Sequence, residues 1–97
     1  MGNNWQAIAD FERAIAIDAE YSPAYFYLGV SKLHDRKPKD AQQHFEKALS
    51  LDVLRENTAI YDGLAQCYHK QGKYQEAIEE FKNAIRAEKE KGNDHPV

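Results

Sequence analysis

The chain has 97 residues with a formal charge of −3, and is 42% hydrophobic and 30% charged, enough for one small soluble domain. Both charge signs are interleaved without a basic patch, so nucleic acid is not an expected partner, and no apolar stretch nears the roughly 20 residues of a membrane span. The single cysteine, Cys67, excludes an internal disulfide and fits a reducing, cytoplasmic setting.

The N-terminal Met1-Gly2-Asn3-Asn4 has neither the basic nor the apolar region of a signal peptide. A helical pattern starts almost at once and spans about 4–19, with Trp5, Ile8, Phe11 and Ile15 as its apolar stripe. Ser22-Pro23 predicts the next helix start, serine capping free N–H groups and proline suiting the first turn. This second helix, about 22–36, places Tyr25, Leu28 and Gly29 on one face and leaves Phe26, Val30, Leu33 and His34 as a second stripe. Glycine inside a helix costs about 1 kcal/mol relative to alanine, so Gly29 needs a packing reason.

After the turn Asp35-Arg36-Lys37, Pro38 opens a third helix of about 38–54. Asn57 reads as the cap of a fourth, about 57–71. There Tyr61, Leu64, Ala65 and Tyr68 form the core stripe, and Asp62, Gln66, His69 and Lys70 are left over. Gly72 predicts a left-handed stop. A fifth helix, about 74–91, sets Ile78, Phe81 and Ile85 against a solvated acidic face of Glu76, Glu79 and Glu80. Residues 92–97 break helix and read as a flexible tail.

Three of these helices carry one motif. Ala7 to Ile15, Ala41 to Leu49 and Ala77 to Ile85 each read A-x-x-x-F-x-x-A followed by a branched aliphatic, offset by 34 and then 36 residues. The spacing puts two alanines and a phenylalanine on one helix face. Alanine lets another helix axis come close, and the ring between the alanines fills the gap beside the crossing. Tyr25, Leu28 and Gly29 likewise recur 36 residues on as Tyr61, Leu64 and Ala65.

Helix pairs of this period and residue pattern resemble the tetratricopeptide repeat. Tyr25, Leu28 and Gly29 match the family's first-helix signature in one repeat, and Tyr61, Leu64, Ala65 and Tyr68 in the other. All three A-x-x-x-F-x-x-A copies match its second helix. Departures are Lys32 at a usual tyrosine, Ala19, Val53 and Lys89 at the usual terminal proline, and two extra residues before Thr58. The resemblance implies an all-α solenoid: five helices in antiparallel hairpins forming a right-handed superhelix. Its units would be the second helix of a truncated repeat (1–21) and two complete repeats (22–57 and 58–91) of a longer array.

The resemblance also implies a scaffold that binds a peptide or helix of a partner protein in a concave groove lined by the first helices. Phe26, Val30, Leu33 and His34 would form its apolar half, and Asp62, Gln66, His69 and Lys70 its polar half. Some members grip the C-terminal carboxylate of chaperone tails with lysine, arginine and asparagine on this face. Phe26, Tyr27, Val30, Asp62, Gly63 and Gln66 replace that set here. Trp5, Ile8, Phe11 and Ile15 at one end, and Ile78, Phe81 and Ile85 at the other, are expected to be open stripes through which the chain forms homodimers. A regulatory or targeting segment of a multidomain enzyme, or a self-assembling structural array, would show the same repeats.

No catalytic residue, metal site or cofactor is expected. Cys67 and His69, two apart on a helix, point to different faces. His34 and His44 lie on separate helices without an acidic partner at ligand spacing. Cys67 beside Tyr68 reads as a small helix residue lacking the base a thiolate needs.

Overall fold

The structure, a computed structural model, describes residues 4–52 and 57–93. Five helices account for them: α1 (Asn4–Ile17), α2 (Ser22–His34), α3 (Pro38–Leu51), α4 (Thr58–Lys70) and α5 (Tyr74–Asn93). The first four end one to three residues short of the expected limits, and α5 runs two residues into the stretch read as tail. Val53, the two extra residues before Thr58 and the segment 94–97 lie outside the described residues.

The helix ends explain the order of the elements. Both tight turns close with the same pair of backbone bonds. After α2, Lys37 N–H donates to Lys32 O (2.9 Å) and Arg36 N–H to Leu33 O (3.0 Å). After α4, Lys73 N–H donates to Tyr68 O (2.8 Å) and Gly72 N–H to His69 O (3.0 Å). This six-to-one and five-to-two pattern needs a left-handed residue. Gly72 supplies it at φ 78°, and Arg36 adopts it at φ 62° with a side chain that disfavours it. Asn57 caps α4 as expected, its Oδ1 accepting from Ala59 N–H at 3.1 Å.

Ser22 does something else. The capping position of α2 is Tyr21, which makes no side-chain cap bond, with proline in the first turn. The Ser22 hydroxyl donates to the carbonyl of Ala48 on α3 at 2.9 Å. Ala48 lies in the last turn of α3, where carbonyls lack a partner within the helix. The start of α2 therefore closes off the end of α3.

The tightest pairings are the hairpins α2/α3 and α4/α5. Helix α3 also packs on α4, and α1 on α2. Among the described residues α2 also approaches α4, whereas α1 and α3 do not approach each other, nor do α3 and α5. The stack is thus narrower on the α2/α4 side, which makes that side concave. Each hairpin touches only its neighbours, as in a solenoid.

Ala41, Phe45 and Ala48 of α3 meet Ile60, Leu64 and Cys67 of α4 in one buried cluster, with Tyr25, Phe26, Val30 and Leu33 of α2 packed around it. Phe45 is 0% exposed. Its ring lies directly over Gly29 of α2 and Gly63 of α4. A Cβ at Gly29 would come within 2.8 Å of the ring, and one at Gly63 within 2.6 Å. Close approach is the packing reason for Gly29. Gly63, assigned from sequence to the groove surface, is buried for the same reason.

The repeated phenylalanine is not equally buried. Phe11 is half-buried and stacks on Tyr27, with ring centroids 5.2 Å apart and planes 14° from parallel. Phe81 is 42% exposed. Phe45 has a first helix on both sides, and among the described residues Phe81 has none beyond it.

Substituting Gly63→Ala will overpack this contact and destabilise the chain by about 1–3 kcal/mol. Combined with Phe45→Leu, the loss will be smaller than the sum of the two single losses, because the shorter side chain vacates the space the new methyl needs. Urea denaturation of the three variants measures both effects.

Candidate functional site

Helices α2 and α4 lie side by side, and the space between them is a pocket of about 340 Å³. Phe26, Val30, Leu33 and His34 form one wall, and Ala59, Asp62, Gly63, Gln66 and Lys70 the other. Phe45 reaches the floor from behind. Helical spacing explains the lining: positions 26, 30 and 33 share one face of α2, and 59, 62, 63, 66 and 70 one face of α4. The structure thus brings together Phe26, Val30, Leu33, His34, Asp62, Gln66 and Lys70 around one pocket.

His69 is the exception. It is exposed outside the lining, and its ring meets Tyr74 of α5 edge-on at 5.3 Å. At one residue before Lys70 it has turned past the groove toward the next hairpin turn. Ala59 and Phe45 were missed from the lining. Ala59 offered no chemistry to single it out, and Phe45 belongs to the other layer.

Phe26 serves both core and groove. Its ring packs against Phe45 at 5.7 Å and against Tyr27 at 5.2 Å, yet it remains half-exposed in the pocket wall. On the opposite wall Gln66 Nε2 donates to Asp62 Oδ2 at 3.0 Å, one turn apart, holding the carboxylate in place. The pocket therefore has an apolar wall, a fixed carboxylate beside its middle and the Lys70 ammonium at its lower end.

The two terminal stripes differ from each other, and the α1 stripe departs from expectation. On α1, Ile8, Phe11 and Ile15 are half-buried, and the open apolar side chain is Ile17, 88% exposed. The side chain of Trp5 is outside the described residues. On α5, Ile78, Phe81 and Ile85 are exposed as the pattern implied.

Titratable groups away from the pocket are shifted by burial. The Cys67 thiol is fully buried and pushed up from 9.0 to about 12, by burial and then by Glu46. Tyr68 is raised by burial, with Glu46, Glu80 and Glu76 adding to it. His44 is lowered by burial and by Lys32, against Asp40 and Glu12. These are two copies of one place in the repeat: Lys32, Asp40 and His44 recur 36 residues on as Tyr68, Glu76 and Glu80. Among the described residues no group of three His, Cys, Asp or Glu is arranged to hold a metal, and no helix is long and apolar enough to cross a membrane.

Antiparallel helix hairpins stacked on their neighbours, with a groove between successive first helices, define a helical-repeat protein. A sequence model of the tetratricopeptide repeat matches residues 32–92. The chain belongs to the tetratricopeptide repeat family. The human protein Tetratricopeptide repeat protein 6 is 38% identical over 56 residues, which are 58% of this chain and 11% of that protein. Two crystal structures of MamA superpose with TM-scores of 0.87 and 0.84 at 27% and 26% identity. They cover 95% and 99% of this chain and 53% and 51% of theirs. A third, MamA MSR-1 C2, superposes at 0.82 with 20% identity over 92% of this chain and 50% of that one, and bears on the fold alone. The chain spans about half the length of these structures and 11% of the human relative.

Cys67 and Tyr68 stay protonated in the folded chain at pH values where the unfolded chain ionises. The Cys67 contribution to stability is complete below pH 9.0 and is lost as the pH rises toward about 12, and the Tyr68 contribution falls in the same direction as the pH rises past the ordinary tyrosine range. Cys67→Ala will flatten this alkaline loss. Denaturation midpoints at pH 8, 9.5 and 11 for both proteins measure it, and parallel curves would contradict a buried neutral thiol.

Proposed function

We propose that the chain is a protein–protein interaction module whose α2/α4 groove holds a short peptide or amphipathic helix of a partner protein. The observation that carries this reading is the pocket itself, a cleft of about 340 Å³ with an apolar wall facing a polar one. A ligand side chain buried against Phe26 and Val30 would contribute about 1.5–3 kcal/mol. The Asp62 carboxylate, already oriented by Gln66, would accept hydrogen bonds from the ligand backbone or a polar side chain. Membership of a family built as an interaction scaffold supports the class, and the groove chemistry supports the mode.

In this reading Phe26→Ala weakens partner-peptide binding at least tenfold, and Asp62→Ala weakens it severalfold with a change in ligand orientation. Titration followed by amide chemical shifts measures both. Unchanged affinity in the Phe26 variant would remove the groove from the mechanism.

The apolar stripe of Ile78, Phe81 and Ile85 on α5 supports a second contact, self-association of the chain. Light scattering at rising concentration will then show a mass above that of one chain, which Phe81→Lys abolishes. A constant monomer mass at millimolar concentration would rule it out.

A further inference from the structure

We propose that the edge formed by the two hairpin turns is a docking surface for an acidic segment flanking the groove-bound peptide. This rests on the groove reading above and names the chemistry of the partner. Three depressions run together along this edge. The groove ends at Leu33 and Lys70, which also line a second depression of about 380 Å³ with Arg36 and Pro38. Pro38 in turn lines a third, of about 620 Å³, with Lys37, Lys39 and Lys73. A chain leaving the lower end of the groove therefore passes five cations in succession: Lys70, Arg36, Lys37, Lys39 and Lys73.

The grouping is built by the fold. Arg36 to Lys39 and Lys70 to Lys73 lie more than thirty residues apart in the sequence. The α2/α3 and α4/α5 turns close with the same backbone bonds, and Lys37 and Lys39 of the first line one depression with Gln71 and Lys73 of the second. Gln71 Nε2 donates to Gln42 Oε1 at 2.8 Å and ties the second turn to α3. Asp40 lines the third depression, and Asp35 opens the α2/α3 turn beside Arg36, so five cations face two carboxylates along this edge. In a chain of net charge −3 this edge is a local excess of positive charge that the interleaved sequence conceals.

Charge complementarity decides the occupant. The fixed Asp62 carboxylate stands beside the middle of the groove and the cations stand at its exit, so the cleft is polarised along its length. A peptide with an apolar anchor and Asp or Glu residues on one side of it satisfies both ends. The same peptide reversed would place its acids against Asp62. Opposite charges at a rim steer encounter and fix direction more than they add raw affinity.

The test pans a displayed library of random twelve-residue peptides against the 97-residue chain. Binding of the strongest synthetic peptide is then measured by anisotropy at low and high salt. The proteins are the parent chain, Phe26→Ala, and the triple variant Lys37→Glu, Lys39→Glu, Lys73→Glu. The three new carboxylates sit at or near the starts of α3 and α5, where negative charge is tolerated, and circular dichroism confirms the fold. The expected result is a set of peptides with acids clustered on one side of an apolar residue. Their affinity falls about tenfold in the triple variant, and the difference shrinks at high salt. Peptides that need Phe26 but show no acidic clustering, or ignore the triple reversal, overturn the edge and leave the groove standing. Failure to recover any peptide that depends on Phe26 overturns the groove reading and this one with it. Tighter binding of a duplex DNA probe than of any acidic peptide, lost in the triple variant, also overturns it, because the edge would then be a phosphate site.

Discussion

One aromatic ring holds three helices in register. Phe45 projects from α3 into the seam between α2 and α4, and it fits because Gly29 and Gly63 present bare backbone to it. Each glycine costs its helix about 1 kcal/mol in isolation. Full burial of the ring contributes about 1.5–3 kcal/mol, and the close approach it permits brings Leu28, Ile60 and Leu64 out of water as well. The groove follows from the same contact. Because α2 and α4 are drawn over one ring, they stand close enough to form the two walls of a cleft, and Phe45 becomes its floor. A larger residue at 29 or 63 would push the walls apart.

The electrostatic character of the molecule is set one level up, by where the turns fall. Each hairpin turn is closed by backbone bonds that use up the last carbonyls of its first helix. Successive turns stack at the same edge because the hairpins are repeats of one another. Cations scattered through the sequence at intervals of a repeat are thereby collected on one side. Burial acts on the other groups: Cys67, Tyr68 and His44 are all held in their uncharged forms.

Much of this was legible in the residues. The A-x-x-x-F-x-x-A copies and the recurring tyrosine-leucine-small pattern gave the all-α repeat. Pro38, Asn57 and Gly72 marked helix ends correctly. The stripe left after core assignment contained most of the groove lining. What escaped was decided by third parties in space. Ser22 looked like a cap, but the nearest orphan carbonyl belongs to Ala48, far along the chain. Gly63 looked like groove surface because its partner Phe45 comes from a different hairpin. His69 fell on the groove stripe by counting, and one further turn of angle placed it beside Tyr74. The positive edge was invisible because its two halves are a repeat apart.

The contrast between the two seams has an engineering consequence. At α1/α2 the motif phenylalanine meets Tyr27 ring on ring, whereas at α3/α4 its counterpart drops into the notch left by Gly63, at the equivalent place 36 residues on. The hairpins share a plan but are keyed differently, one by stacking and one by insertion. They are not interchangeable building blocks: a spliced array that set Phe45 against a tyrosine would force two rings into one space, and one that set Phe11 against a glycine would leave a void.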